Sequence, residues 1–150
     1  MHLVTSSIFL PSLLSYLSQD SQAMLLRAYF STTLAWWISR GGPRLDIQGF
    51  LDATTSPPPP KDEVSSTPNP FLNIVQSGMT HENDHMLKIL RALAHFSSLY
   101  GARHKGYFEG TELEGAEALD GSLFLRAARL TDKYMNQGTR SWGTDFSTKD

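Results

Sequence analysis

Four consecutive prolines, Pro57 to Pro60, stand between two stretches of helical periodicity and decide how the chain can fold. Proline fixes φ and carries no amide hydrogen, so the run is extended and can continue neither a helix nor a sheet ladder. The neighbouring Thr54, Thr55, Ser56, Lys61, Asp62 and Glu63 add almost no apolar surface. Residues 54–68 are therefore expected to be a linker or surface excursion. They divide a helical N-terminal part, 1–53, from a helical C-terminal part, 69–137, and a polar tail follows at 138–150. A partner domain that reads polyproline is a further reading, resting on residues 57–60 alone.

Before the prolines, residues 8–17 and 21–40 read as helices. Leu25, Leu26, Tyr29, Phe30, Leu34, Trp37 and Ile38 recur three and four residues apart, Ser21 is a suitable N-cap, and Gly41-Gly42-Pro43 supplies the stop. Trp36 and Trp37 together leave little of that helix to solvent. They read either as core anchors or as a substrate-stacking pair. A short helix at 46–52 leads into the prolines.

Beyond them, order should resume at Asn69–Val75, and a long helix is expected over residues 81–100. Glu82 and Asp84 fall in its first turn, where the helix dipole favours them, and Gly101 closes it. The stretch from Gly106 to Gly115 reads as an acidic, glycine-rich connector. A last helix over 120–135 puts Leu123, Phe124, Ala127, Leu130 and Tyr134 on one side. No segment alternates at period two. The expected fold class is all-α, an irregular helical array with a proline-rich loop, built as part of a larger helical enzyme fold.

Chemistry concentrates on the 81–100 helix. His81, His85, Lys88 and His95 fall at i, i+4, i+7 and i+14, which at about 100° per residue is a single stripe. Two imidazoles one turn apart can grip one metal ion. His81 and His85 are the candidate ligands for a non-haem iron, and Lys88 could join them only as a modified, carbamate-like oxygen donor. His95 is too far along the axis for the same ion, about 15 Å from His85, and is assigned to a substrate-facing or structural role. The competing reading is the polar edge of an amphipathic helix. Met86, Leu87, Ile89, Leu90, Leu93, Ala94, Phe96 and Tyr100 fill the apolar arc beside it.

What is missing narrows the function. With no cysteine, disulfides, thiolate nucleophiles and cysteine-ligated metals are excluded. A net charge of −2 and a pI near 6.2 give no footprint for nucleic acid. The apolar run Ala28 to Ile38 is short and bounded by Arg27 and Arg40, and the start lacks a basic leader, so no membrane span is expected and the default setting is cytoplasmic. No G-x-G-x-x-G, P-loop or G-x-S-x-G pattern is present. A flavin domain of the usual kind is thus not encoded.

Several blocks in fixed order resemble the C-terminal part of the questin oxidase-like family. They are Met1-His2-Leu3-Val4-Thr5-Ser6-Ser7-Ile8-Phe9-Leu10-Pro11, Leu34-Ala35-Trp36-Trp37-Ile38, Asn69-Pro70-Phe71-Leu72, His81 with Asp84-His85 and Lys88, Arg91-Ala92-Leu93-Ala94-His95, and Leu119-Asp120-Gly121-Ser122-Leu123-Phe124. The resemblance implies a largely helical oxidoreductase of fungal secondary metabolism. It further implies oxygen-dependent, Baeyer–Villiger-type opening of an anthraquinone-like polyketide ring, with NADPH as reductant. Two departures stand out: Glu82 occupies a position where the family pattern leads one to expect proline, and Met1 falls inside the pattern. The isolated chain is accordingly expected to show little or no oxygenase turnover and to self-associate through exposed apolar faces. A truncated, inactive helical remnant or interaction module is the alternative.

Overall fold

The computed structural model describes residues 2–54 and 69–136, whose regular structure is all helical, with no strand among them. The predicted linker, apart from Thr54, and the predicted tail lie outside the described residues. Seven α-helices occur in the described chain: α1 His2–Ser7, α2 Leu10–Leu14, α3 Gln19–Ser39, α4 Ile47–Ala53, α5 Leu72–Thr80, α6 Asp84–Tyr100 and α7 Leu123–Asn136. A single 3-10 turn, Ala116–Ala118, precedes α7. The chain divides into two compact units, Met1–Leu45 and Asp46–Asp150.

In the first unit, the expected helix over 8–17 is instead two short helices. Pro11 has no amide hydrogen to give and settles in the first turn of α2, so the chain turns at Ile8–Phe9 and restarts at Leu10. The cap of α3 also moves: Ser18, with extended backbone, replaces Ser21, and its Oγ accepts the amide hydrogen of Ser21 at 3.4 Å. Asp20 then lies in the first turn, and the Gln22 carboxamide reaches back to the carbonyls of Leu14 and Leu17 at 3.0 and 3.1 Å. Tyr29 donates its hydroxyl hydrogen to the Leu3 carbonyl, tying α1 to α3. Gly41 ends α3 at φ 85°, as the sequence predicts, with its amide on the Ile38 carbonyl at 2.9 Å.

None of α1, α2 or α3 contains a buried residue. Trp36 and Trp37 are 51% and 44% exposed, so the core-anchor reading fails in this unit. The Arg40 guanidinium covers the Trp36 ring at 5.2 Å, and the Trp37 ring lies against Gly42.

The second unit has a genuine core, and α6 is its axis. Met86, Ile89, Leu90 and Leu93 of the expected apolar arc are buried, joined by Ala92, while Ala94, Phe96 and Tyr100 are half-buried and Leu87 is exposed. Each of the four larger buried side chains among them contributes about 1.5–3 kcal/mol on leaving water. Phe71 and Ile74 from α5 and its entry, Ala128 and Met135 from α7, and Ala116 and Leu119 complete the interior. The buried side of α7 is thus Ala128 and Met135, while Tyr134, assigned to the inner face from periodicity, is 43% exposed. Phe124 does turn inward, its ring 6.1 Å from those of Phe96 and Tyr100.

Two glycines make this packing possible. Gly78 of α5 crosses α6 so closely that a Cβ there would sit 2.7 Å from Leu90 Cδ1. Gly121 is tighter still: a Cβ would meet the Gly101 carbonyl oxygen at 2.3 Å, where the approach to α7 folds over the end of α6 and Gly121 donates its amide to the Arg103 carbonyl at 2.8 Å. The obstacle at Gly78 is a movable side-chain tip, that at Gly121 fixed backbone. Gly121→Ala should therefore destabilise the protein by about 2–3 kcal/mol and Gly78→Ala by distinctly less. Chemical denaturation followed by far-UV circular dichroism measures both, and equal losses would contradict the contact geometry.

Candidate functional site

The chemistry-bearing residues gather where α5 turns into α6. The long helix expected from residue 81 begins only at Asp84, because the chain breaks over three residues. His81 caps the C-terminus of α5 with ψ 136°, and Asn83 caps the N-terminus of α6. Asn83 Oδ1 accepts hydrogen bonds from the His85 amide at 3.0 Å and from His85 Nδ1 at 2.9 Å. The Asn83 amide in turn donates to His81 Nδ1 at 3.0 Å, and His81 Nε2 faces the Met135 carbonyl at 3.4 Å. Three side chains thus join the ends of α5 and α6 to the end of α7.

This arrangement sets the tautomers. His81 Nδ1 holds a backbone hydrogen and so presents its lone pair inward, leaving Nε2 to carry the proton toward Met135. His85 is the reverse, with its Nδ1 proton on Asn83 Oδ1 and near Asp84 Oδ1 at 3.1 Å. Lys88 Nζ bonds Asp84 Oδ2 at 2.5 Å as an ammonium one turn along α6. The hydrogen bond from Lys88, helped by its charge and that of His85, holds the Asp84 carboxyl below the ordinary aspartate range.

The single-helix stripe of His81, His85 and Lys88 is therefore not formed, because His81 stands outside α6 on extended backbone. Its imidazole lone pair is engaged, Lys88 is a paired cation, and among the described residues no three His, Cys, Asp or Glu side chains converge on one point. The donor set does not fit a shared iron ion. What the turn builds instead is an open cleft of about 330 Å3. His81 and Lys88 line it together with Glu82, Asp84 and Arg91, and Gly78, Met79 and Leu87 supply its apolar part. His85 is not among the lining residues. His95 is exposed farther along α6, edge-on to Phe96 at 5.6 Å. Arg91 escaped the sequence reading although it follows Lys88 by three residues; Met79 was hidden by treating residue 81 as the start of a helix.

A second polar cluster fixes the start of α7. Asp120 Oδ1 accepts the Ser122 amide at 2.8 Å and the Ser122 hydroxyl at 2.5 Å, and Arg126 Nε donates to Ser122 Oγ at 2.9 Å. Arg126 also reaches Thr54 at the end of α4. The Ser122 hydroxyl, then its amide, and the Arg126 and Lys105 charges lower the Asp120 pKa.

The described residues are all helical, with a charged cleft at a helix corner, and the sequence carries no nucleotide-binding glycine motif. The family model for Questin oxidase-like proteins matches residues 1–93, well over half of the 150. The chain belongs to that family, an oxidoreductase-like one. The match takes in α1 to α5, the turn at His81–Asn83, Lys88 and Arg91, and stops short of His95 and the Leu119–Phe124 block. No curated protein and no solved structure matches the chain. No helix among the described residues is long and apolar enough to cross a membrane.

The lowered carboxyl pKa values make stability depend on pH. Each ionises more readily in the folded chain, so its contribution is present above the unfolded aspartate pKa and is lost as pH falls through the folded value. Asp84 is fully exposed and screened by solvent, which leaves Asp120 as the larger contributor. Asp120→Asn is expected to flatten the fall in thermal midpoint on acidification. A variant that loses stability in parallel with the parent chain would contradict this assignment.

Proposed function

We propose that the chain contributes the α5–α6 cleft to an oxidoreductase that opens the ring of an anthraquinone-like aromatic polyketide in a Baeyer–Villiger-type oxygenation. Family membership over residues 1–93 is the observation that carries this reading. The shape and charge of the cleft support it. Met79 and Leu87 offer apolar surface to a flat ring, while Lys88 and Arg91 supply local positive charge on a lining they share with Glu82 and Asp84. A hydroxyl beside a quinone carbonyl is an acidic phenol, and its anion suits a Lys–Arg edge.

In the proposed reaction one atom of dioxygen enters between a ring carbonyl carbon and its neighbour, and the other leaves as water. NADPH, when bound, would supply a hydride, that is two electrons and one proton, and solvent the second proton that forming water requires. Water then cleaves the resulting lactone and the ring opens. The residues of this chain hold and orient the phenolate; Asp84, ionised by its bond to Lys88, keeps that ammonium pointed along the cleft. No step is assigned to iron, since the donor set does not fit it.

Incubation of the chain with a hydroxyanthraquinone, NADPH and isotopically labelled dioxygen tests the proposal, and the mass-spectrometric readout suits slow turnover. One labelled oxygen is expected in the ring-opened product. Lys88→Met should weaken hydroxyanthraquinone binding about 10- to 100-fold, the usual cost of losing a charge-assisted bond to a ligand, as measured by the shift of the visible phenolate band. Binding without label would remove the oxygenation reading and keep the cleft, and undiminished binding by Lys88→Met would remove the cleft.

A further inference from the structure

With five methionines and no cysteine, the only sulfur this chain offers to an oxidant is the thioether. Four of the five methionines fall among the described residues, and the fold sorts them. Met86, on the inner stripe of α6, is wholly buried, and Met135 of α7 is 8% exposed. Met24 and Met79 are 70% and 68% exposed. Met24 stands on α3, in the first unit, whereas Met79 stands in the last turn of α5 and lines the α5–α6 cleft. Gly78 faces the crossing with α6, and one step of about 100° round the helix turns Met79 away from it. The apolar part of the cleft is Gly78, Met79 and Leu87, so among these residues the Met79 sulfur alone can be changed by mild oxidation.

We propose that Met79 is an oxidation site, and that its sulfoxide reversibly lowers the affinity of the cleft for its flat aromatic ligand. The inference rests on the oxygenation proposed above, because hydrogen peroxide forms when NADPH and a proton reduce dioxygen and no oxygen enters the substrate. The thioether sulfur attacks one peroxide oxygen and the O–O bond breaks. The departing hydroxide collects the proton of the transferred hydroxyl and leaves as water; sulfur loses two electrons and peroxide gains them.

The product is polar where the thioether was apolar. A flat ring loses the soft surface of Met79, and the new sulfoxide oxygen is an acceptor that competes with a phenolate for Lys88 and Arg91, which line the same cleft. Burial shields Met86 and Met135, which peroxide reaches only when the second unit opens. Met24 is as accessible as Met79 but stands outside the cleft, so its oxidation leaves binding alone.

Peptide mass spectrometry of the 150-residue chain in dilute hydrogen peroxide should show Met24 and Met79 each gaining one oxygen, about tenfold or more faster than Met86 and Met135. Saturating hydroxyanthraquinone should slow the reaction at Met79 and not at Met24. Affinity for hydroxyanthraquinone, read from the visible phenolate band, should fall about 5- to 10-fold as Met79 is oxidised, the change expected from losing one side chain's apolar contact, and should return on treatment with methionine sulfoxide reductase. Met24→Leu should show the same fall, whereas Met79→Leu should have one affinity before and after peroxide, whatever its value. Oxidation of Met79 no faster than that of Met86, or an affinity that survives oxidation of Met79, would overturn the proposal and leave the cleft standing. A parent chain that binds no hydroxyanthraquinone before peroxide would overturn the cleft reading and this one with it.

Discussion

Burial of one stripe of α6 is the constraint on which the second unit rests. Met86, Leu90 and Ala92 are wholly withdrawn from water, and α5 and α7 are placed by how they cover this stripe. α5 covers them by crossing at Gly78, where the absence of a side chain lets Leu90 reach the helix backbone. The chain then returns over the C-terminal end of α6 through Gly121, and α7 closes the third side with Ala128 and Met135. In such a core a methyl group at a crossing is as disruptive as a missing one.

The same packing dictates what the histidines do. For α5 and α6 to lie on opposite sides of the crossing, the chain must break between them, and a break exposes amide hydrogens at the start of α6. Asn83 takes the His85 amide, and His81 takes the amide of Asn83. Capping thus recruits the residues whose types suggested metal chemistry, and spends the lone pair of His81 on the backbone. Lys88 and Arg91 lie one and two turns into the regular helix and are not drawn into the caps. With Glu82, Asp84 and the apolar rim left by Met79 and Leu87 they line the cleft, and the proposed ligand sets an acidic edge at Lys88 and Arg91 and a flat apolar body on the rim.

How much of this was legible in the sequence depends on how local the cause was. The all-α class, the stop at Gly41, the inward stripe of α6 and the irregular acidic connector follow from periodicity and glycine, and they are found as expected. His81 and Lys88 were legible as neighbours, but for the wrong reason: the pattern suggested one continuous helix, whereas a turn brings them together. Spacing at i and i+7 is the same number in both cases. What distinguishes them is whether Thr80-His81-Glu82 can stay helical against the α5–α6 crossing, and that is decided by Gly78 and Leu90, residues the stripe does not include. The inner face of α7 was misjudged for a related reason. Its buried positions are set by contact with α6, so Ala128 and Met135 turn inward and Tyr134 does not.

The two halves of the chain solve the hydrophobic problem differently. α6 has an apolar stripe, a polar edge and partners on its apolar side, so a single unit satisfies it. α3 is apolar on two faces and satisfies only one of them with α1 and α2. Its exposed large residues are spread round the helix, from Met24 and Phe30 to Trp36 and Ile38, so no single stripe orients α3 in the way that Met86, Leu90 and Leu93 orient α6.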